Sequence, residues 1–294
     1  MAAAELVKQF RQAFAARGAA EGGERLLPLE GPRLIDEALR SGARLEAVLF
    51  SPAGEAQFGS RLRPQLSKHC RVETAGEAAF RAAMDASHPQ GVAALARWRD
   101  RAAPDLFARP PGGAPLLLLL AAGLQDPGNL GTLIRAADAF GAAGVAVLAG
   151  SVSPFNPKAL RAAAGSHFHL PVAADVTPED WMRLCRQHHV ALAAAAAHGT
   201  DAAAADLRPP VCLIVGQEAG GVPRAWQRAA DLTLAIPMLP RVDSLNAGVA
   251  GAILLYEVQR QRAAGGREAP QPGASEGAAE PGPGESKNHG HAVS

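Results

Sequence analysis

The sequence is poor in cysteine and aromatic residues and has no strong excess of charge. Its 294 residues include three cysteines, one tyrosine and a 4% share of aromatic residues, with a formal net charge of +1. Cys70, Cys185 and Cys212 are far apart and lack metal-ligand spacing. Neither a disulfide framework nor a metal site is therefore expected, and a reducing cytoplasm is the default compartment. Because alanine supplies much of the hydrophobic content, the core should be aliphatic.

Long apolar segments are also missing. The longest strongly apolar run, residues 115–124, is too short to cross a bilayer and is typical of a buried parallel strand. The first 18 residues are amphipathic and include Glu5, which favours a surface helix over a secretory signal. A mitochondrial presequence is the less favoured alternative. We expect a cytoplasmic protein without a membrane partner.

Several nucleotide-binding and hydrolase signatures are absent. The sequence has no GxGxxG and no GxxxxGKS/T, so neither a dinucleotide loop nor a Walker-type phosphate loop is predicted. It also lacks the GxSxG elbow that would make Ser244 a hydrolase nucleophile. We interpret the histidines as surface or structural residues, because they do not fall at metal-ligand spacing.

The first part of the chain alternates helices and strands. The pattern predicts helices near residues 1–18, 34–39, 57–69 and 75–84, strands at 45–50, 71–73 and 90–96, and a loop at 21–30. This alternation predicts a small α/β domain over residues 1–108. The proline and glycine run at 110–113 has linker composition, and we place the linker at 109–115.

The second part has the same alternation with longer apolar strands. Strands are predicted at 116–121, 144–149, 190–195, 211–215 and 232–236, and helices at 129–140, 157–164, 179–187 and 246–262. Such a pattern predicts a parallel, doubly wound sheet, here over residues 116–263. Residues 264–294 are rich in Gly, Pro, Ser, Glu and Ala without apolar periodicity, so we expect a disordered tail.

Charge is distributed slightly unevenly between these parts. Residues 1–115 carry 16 Lys and Arg against 13 Asp and Glu, whereas residues 116–263 carry 11 of each. A weakly basic N-terminal part is compatible with RNA contact. An ordinary solvated surface would have the same composition.

Two stretches of the second domain place polar residues after buried strands. In residues 124–141, a turn ending at Asn129 follows the first strand, where ligands bind in parallel sheets. Asn129 is also well placed to cap the next helix. In residues 213–223, a strand runs into a glycine-rich loop that holds Glu218. Its glycines let the backbone approach a ligand closely.

A third stretch, residues 236–257, joins an irregular segment to a helix. Pro237 and Pro240 exclude regular structure in its first half. Asp243 or Ser244 can cap the helix that follows, whose apolar residues recur at helical spacing. A capped core helix after a proline loop is the simplest interpretation of this stretch alone.

In this order and spacing, the three stretches resemble the signature motifs of the SpoU (TrmH-like) branch of the SPOUT RNA methyltransferases. The resemblance covers residues 116–262 and extends more weakly to turns at 31–33 and 88–91. It implies a C-terminal parallel-sheet domain with a deep trefoil knot, although threaded chains are rare. It also implies an N-terminal, RNA-substrate-binding L30e-like domain. Ordinary turns are the alternative for the two N-terminal segments.

The resemblance also implies a role for individual residues. The implied catalytic group is Asn129, Arg135, Glu218, Ser244 and Asn246. The implied cofactor-binding group is Gly216, Gly221, Ile236, Pro237, Leu245 and Ala247. Arg135 would face the target ribose, whereas without the resemblance it is an unremarkable helical arginine. Ala163 and Gly248 depart from the family, because many members have serine at these positions.

The implied activity is transfer of a methyl group from S-adenosyl-L-methionine to a ribose 2′-hydroxyl of rRNA or tRNA, by a homodimer paired through the last helix. A non-catalytic RNA-binding or ribosome-assembly factor on the same scaffold is the alternative. Methylation of a base nitrogen is less favoured, because that branch lacks the motif of Asn129 and Arg135. The sequence leaves open which nucleotide is modified, and whether Arg135 acts as a base or as a cationic clamp.

Overall fold

The computed structural model describes residues 2–18, 24–217 and 220–265. Within these ranges the strands form a four-stranded sheet in the N-terminal part and a seven-stranded sheet in the second part. The predicted α/β class is confirmed. The trefoil knot and the L30e-like identity of the first domain stay predictions.

The N-terminal domain places helices around its four-stranded sheet. Its elements are α1 (Ala2–Ala15), β1 (Glu24–Glu30), α2 (Pro32–Arg40), β2 (Leu45–Phe50), α3 (Pro52–Leu62), β3 (Arg71–Thr74), α4 (Glu77–Ala83) and β4 (Val92–Arg99). The strand order is β1-β4-β2-β3. Strand β4 runs antiparallel to β1 and β2, so the carboxyl ends of β1, β2 and β3 lie at one edge of the sheet.

Two predictions in this domain are wrong. The described part of the predicted loop at 21–30 is β1, whose Leu27 and Leu29 are fully buried. Pro28 weakens the strand pattern, but β1 is an edge strand, where the missing N–H of a proline is tolerated. The helix predicted at 57–69 instead begins at Pro52, after a cap in which Ser51 Oγ accepts from Gly54 N at 3.1 Å.

The second domain alternates strands and helices along the chain. Its elements are β5 (Leu117–Ala122), α5 (Pro127–Ala139), β6 (Gly144–Leu148), α6 (Pro157–Ala163), β7 (Val172–Val176), α7 (Pro178–Gln187), β8 (Ala191–Ala196), β9 (Thr200–Asp201), β10 (Val211–Gly216), α8 (Arg224–Ala229), β11 (Leu232–Ala235) and α9 (Ala247–Gly265). The strand order is β7-β6-β5-β10-β8-β11-β9, and every adjacent pair is parallel.

The sequence prediction missed β7, β9 and α8 in this domain. They contain two to six residues, too few for periodicity to show. Helix α9 continues to Gly265, beyond the predicted end at residue 262 and into the predicted tail. The rest of that tail, residues 266–294, lies outside the described residues.

Two helical layers cover the parallel sheet. Side chains of α5 and α9 share one core cluster with alternate residues of β5 and β10, such as Leu119 and Leu213. Helices α7 and α8 pack on the other face, against Leu118 and Cys212. This alternation, with both faces covered, is what an all-parallel sheet requires.

Side chains of both domains meet in one hydrophobic cluster. Phe155 and Leu160, from the second domain, are buried within the hydrophobic cluster of the N-terminal domain. Trp98 contacts Phe155 and Phe168, with ring centroids 6.2 and 5.6 Å apart. We refer to these aromatic contacts, together with the ion pairs of Arg161, as the domain junction.

The ion pairs of the domain junction join α6 to the first domain. Arg161 donates to Glu30 Oε2 at 3.1 Å and to Asp85 Oδ2 at 2.7 Å. Burial raises the pKa of Glu30, and Arg161 opposes this rise. Asp85 stays largely exposed, with 43% of its side chain accessible, so Glu30 is the partner for which the cation matters most.

The predicted boundary between the domains also differs from the packing. The sequence prediction assigns residues 103–108 to the N-terminal domain. In the structure, Leu106 and Phe107 form part of a short 3-10 helix, Ala103–Phe107, and are buried against the parallel sheet of the second domain. Phe107 contacts Trp181 there, with ring centroids 5.1 Å apart. The packing of the second domain thus includes residues before the predicted linker at 109–115.

Candidate active site

A cavity of about 340 Å³ lies at the carboxyl ends of β8, β10 and β11. This is the edge at which parallel sheets bind ligands. Its lining residues are Ala195, Ala196, Ala197, Val215, Gly216, Gln217, Gly220, Gly221, Val222, Gln227, Leu234, Ile236, Met238, Ser244, Leu245, Ala247, Ala250 and Leu254. Among the described lining residues the polar side chains are those of Gln217, Gln227 and Ser244, and glycine and alanine leave backbone N–H and C=O groups accessible to a ligand.

The glycine-rich loop after β10 folds back on itself at the cavity wall. Gly221 N donates to the Gln217 carbonyl at 2.8 Å, and Gly221 adopts a φ of +63° that favours glycine. A Cβ at Gly216 would lie 2.1 Å from the carbonyl carbon of Gly221. Glycine is therefore the one residue type that this backbone approach accommodates at position 216. Glu218, in the same loop, lies outside the described residues.

The third stretch supplies the opposite wall. Ile236, Ser244, Leu245 and Ala247 line the cavity, while Ala250 and Leu254 of α9 extend the same wall. Pro237 does not line it. Pro237 lines a neighbouring cavity of about 540 Å³, and its place in the cofactor site stays a prediction.

A hydrogen bond between two asparagines joins the first stretch to the third. Asn246 Nδ2 donates to Asn129 Oδ1 at 2.8 Å. Asn246 Oδ1 accepts from Val249 N at 3.2 Å, so this side chain caps α9. The cap leaves the Asn246 amide nitrogen pointing at Asn129, which orients the pair.

The caps differ from the sequence prediction. Asp126, and not Asn129, caps α5, because Asp126 Oδ1 accepts from Asn129 N at 2.8 Å. Asn246 takes the capping role predicted for Asp243 or Ser244. A hydrogen bond from Lys158 holds the pKa of Asp126 below its ordinary value, and the bond from Asn129 N acts in the same direction. The side chain of Asn129 instead accepts the hydrogen bond from Asn246.

Arg135 lies on an exposed face of α5 and does not line the cavity. The assignment of Arg135 to the active site therefore rests on the family resemblance and stays a prediction. Gly248, at a position where many family members have serine, packs closely on α5. A Cβ there would lie 3.1 Å from Thr132 Cγ2, which leaves little room for a larger residue.

Sequence reasoning found two walls of the cavity and missed the third. The missed wall is the end of β8, Ala195 to Ala197, together with Leu234 of β11. Strand β8 was predicted from the sequence. Because ligands bind at the carboxyl ends of parallel strands, its position already indicated these alanines. Gln227 belongs to α8, a helix that was not predicted. Its Nε2 donates to the Val222 carbonyl at 2.7 Å and so supports the glycine-rich loop.

The described residues contain neither a metal-binding cluster nor a membrane-spanning helix. Among them, no three His, Cys, Asp or Glu side chains are grouped so as to hold a metal ion. No helix among them has the length and apolarity needed to cross a membrane.

Comparisons with known proteins agree with this architecture. The model of the SpoU rRNA Methylase family matches residues 116–256. The 23S rRNA (guanosine(2553)-2'-O)-methyltransferase RlmP of Bacillus subtilis (strain 168) is 33% identical over 231 residues, which cover 79% of this chain and 87% of that protein. The 23S rRNA (uridine(2479)-2'-O)-methyltransferase of Streptomyces viridochromogenes is 38% identical over 146 residues, covering 48% and 51% of the two chains.

Solved structures extend the similarity to both domains. The SpoU methyltransferase AviRb from Streptomyces viridochromogenes, in complex with AdoMet, superposes with a TM-score of 0.74 at 28% identity, covering 87% of this chain and 98% of that chain. An AdoMet-bound rRNA methyltransferase from Sinorhizobium meliloti gives a TM-score of 0.70 at 28% identity, with coverage of 87% and 94%. By sequence and by structure, the chain belongs to the SpoU rRNA methylase family.

Proposed function

We propose that the cavity holds S-adenosyl-L-methionine and that the protein transfers a methyl group from it to a ribose 2′-hydroxyl of rRNA or tRNA. The observation that carries this proposal is the position of the cavity. Ser244 lines it, and the residues on both sides of Asn246 line it as well. The cofactor cavity and the polar residues suited to a hydroxyl substrate are therefore adjacent.

The lining fits this cofactor. The cavity volume of about 340 Å³ lies within the range of ligand-binding pockets, about 300 to 1,000 Å³. Adenine and ribose are uncharged and bind through backbone N–H and C=O groups, which glycine and alanine leave accessible. We assign the cofactor to Gly216, Gly221, Ile236, Leu245 and Ala247. When bound, it supplies a methyl group carried on a sulfonium sulfur.

The chain's own residues align the ribose hydroxyl. Because the Asn246 amide is oriented by its cap and by Asn129, the pair can position a hydroxyl without reorganising during the reaction. Ser244 adds a hydroxyl group that can donate or accept a hydrogen bond at the cavity wall. We include Glu218 in this group as a proposal from its motif.

Arg135 adds a positive charge to the reaction. A guanidinium is a poor proton acceptor in any protein, so we do not assign proton abstraction to this side chain. A cation can instead stabilise the alkoxide that develops as the hydroxyl loses its proton, or hold an adjacent phosphate in a bidentate contact. Because Arg135 does not line the cavity of its own chain, bound RNA or a second copy of the chain has to complete this contact.

The activity is tested by single-turnover methyl transfer to unmodified rRNA and tRNA transcripts, with calorimetry for S-adenosyl-L-methionine. We expect Arg135→Ala to lower the transfer rate by about three orders of magnitude, the scale of one lost transition-state contact. Cofactor affinity should stay within about twofold of wild type. Arg135→Lys should recover a small part of the rate, since it keeps the charge and loses the planar fork.

Two results would contradict these assignments. A rate of methyl transfer near that of wild type in Arg135→Ala would show that Arg135 does not take part in the reaction. Cofactor binding without transfer to any RNA would favour the non-catalytic RNA-binding factor.

A homodimer completes the proposal. Helix α9 exposes an apolar stripe of Val249, Ile253 and Tyr256, which are 46%, 38% and 52% accessible. Phe140 extends this stripe, because its ring packs edge-on against Tyr256 with centroids 5.8 Å apart. Contiguous exposed apolar residues of this kind mark interaction sites. We propose that two copies pair through this stripe.

Sedimentation equilibrium tests the dimer. Ile253→Asp should give a monomer, because pairing would bury the new charge without a partner. Gln259→Asp places the same charge on an exposed position of α9 outside the stripe and should stay dimeric. If both variants remain dimeric, the dimer interface does not lie on this stripe.

The N-terminal domain has an edge that we propose as a second surface for RNA. The structure brings the two predicted turns together, because Gly31 N donates to the Val92 carbonyl at 3.0 Å and Gly31 lies against the Gln90 side chain. Arg33 is exposed beside them at the start of α2. We propose that this edge binds RNA and delivers it to the cofactor cavity, a role that fits a cytoplasmic enzyme.

A further inference from the structure

Lys158 places a cation beside the catalytic asparagines. Its ammonium donates to Asp126 Oδ2 at 2.9 Å, and its Cε passes 3.4 Å from the point where a Cβ of Gly128 would lie. The other oxygen of Asp126 accepts from Asn129 N. The ammonium is therefore separated from the backbone of Asn129 by one carboxylate, at the start of α5.

The ion pair between Lys158 and Asp126 is exposed and easily exchanged. The two side chains are 56% and 43% accessible. Exposed pairs of this kind contribute little to stability, so replacing one anion by another is inexpensive. Arg161, the other cation of α6, is engaged by Glu30 and Asp85 at the domain junction. Lys158 is thus the cation of α6 that can take a new partner.

Helix α6 lies between the proposed RNA surface and the catalytic residues. Its Arg161 end contacts Glu30, which directly precedes the turn at Gly31, and its Lys158 end contacts the start of α5. RNA that spans from the N-terminal edge to Asn129 therefore has to pass α6. An ammonium on a flexible stem is a common contact for a phosphate oxygen.

We infer that Lys158 binds an RNA backbone phosphate next to the methylated ribose, and that Asp126 holds its ammonium until RNA arrives. This inference rests on the proposed function. It makes Lys158 a substrate contact that positions RNA, distinct from the groups that bind the cofactor or act on the hydroxyl.

The test measures RNA affinity against salt concentration, with unmodified 23S rRNA transcribed in vitro as the probe. Lys158→Gln should weaken binding about tenfold and reduce the slope of log affinity against log salt by about 0.7 to 0.9, the contribution of one phosphate contact. Lys158→Arg should keep the slope. In methyl transfer, Lys158→Gln should raise KM for RNA far more than it lowers kcat, with cofactor affinity unchanged.

Arg208 is a matched control. Its pair with Asp206 is somewhat more exposed than that of Lys158, at 61% and 53%, and precedes β10 at the opposite edge of the sheet. Arg208→Gln should change neither the slope nor KM. An equal loss in this variant would show a general charge effect and overturn the inference.

Asp126→Asn separates an RNA contact from a structural role. Asparagine still caps a helix, but it no longer competes with phosphate for the ammonium. We expect RNA affinity at or above that of wild type. If Asp126→Asn instead loses affinity as Lys158→Gln does, the pair acts by holding α5 and the inference fails. If the wild-type protein methylates neither rRNA nor tRNA, the proposed function fails. If Lys158→Gln is active and keeps the wild-type slope of log RNA affinity against log salt concentration, only the inference about Lys158 fails.

Discussion

The proposed cofactor cavity and the domain junction are built from different kinds of residue. The described lining of the cavity combines glycine and alanine with uncharged larger side chains, and its shape depends on the close backbone approach of Gly216 to Gly221. The domain junction uses large rings, Trp98 and Phe155, and a buried carboxylate, Glu30, with its cation. The two regions therefore tolerate different changes.

The difference shows what each region has to do. A cavity wall in which two backbone segments touch is damaged when atoms are added there, since backbone cannot rotate aside as a flexible side chain can. A junction that fixes the relative position of two domains is damaged when atoms are removed, because a void or an unpaired charge remains. Added side chains should therefore harm cofactor binding, and truncated side chains should harm stability.

The largest effect should come from adding atoms at the cavity. In Gly216→Val, the new Cβ would overlap the Gly221 backbone at 2.1 Å, so the loop has to move away from the ligand. We expect cofactor affinity to fall at least about 100-fold, or about 2.8 kcal/mol. Calorimetry measures this loss. Gly76→Val, at a glycine with open space around it, is the control and should bind normally. Wild-type affinity in Gly216→Val would place the cofactor elsewhere.

Truncation of the domain junction should affect stability instead. Phe155→Ala removes a fully buried ring that packs between the domains, and we expect it to lower the free energy of unfolding by about 3 to 5 kcal/mol. Urea unfolding measures the loss, and cofactor affinity of the folded variant should change less than about threefold. Phe80→Ala, in the N-terminal core outside the junction, is a matched truncation. A comparable loss of cofactor affinity in Phe155→Ala would show that the two regions are coupled.

The charge of the domain junction should give a smaller, pH-dependent effect. Burial raises the pKa of Glu30, so this carboxyl favours the fold when protonated, and that contribution is lost as pH rises through the raised folded value. Arg161 opposes the rise. Arg161→Gln should therefore cost about 2 kcal/mol at pH 7 and less at pH 5, where Glu30 is closer to neutral.

Urea unfolding at the two pH values measures this difference. The double variant Arg161→Gln/Glu30→Gln should recover most of the loss at pH 7, because no buried charge remains. An equal loss at both pH values would indicate that Arg161 acts through packing and not through charge.

The smallest effect should come from restoring a family serine beside the cavity. In Gly248→Ser, the gain in helix propensity, about 0.5 kcal/mol, is offset by crowding against Thr132 and Asn246 at 3.1 to 3.2 Å. The free energy of unfolding should change by less than about 1 kcal/mol. Thermal melting measures it, and Thr132→Ala/Gly248→Ser relieves the contact with Thr132. A loss above about 2 kcal/mol would show that α5 and α9 cannot separate by the few tenths of an ångström required.

The sequence by itself determined the elements with strong local patterns. The apolar run ending at Ala122 and the periodicity of α5 and α9 depend on neighbours within a few residues, so they predicted a parallel α/β domain. The three motifs indicated two walls of the cavity. Short elements such as α8 were missed because six residues hold less than two turns of pattern.

Only the tertiary structure decided which polar groups meet. Asn246 pairs with Asn129 across 117 positions, and Arg161 pairs with Glu30 across 131. It also showed that Arg135 lies outside the cavity of its own chain. Periodicity records whether a side chain is buried, whereas a partner far along the chain is chosen by how whole elements pack. That packing depends on all the elements at once, so no local stretch of sequence specifies it.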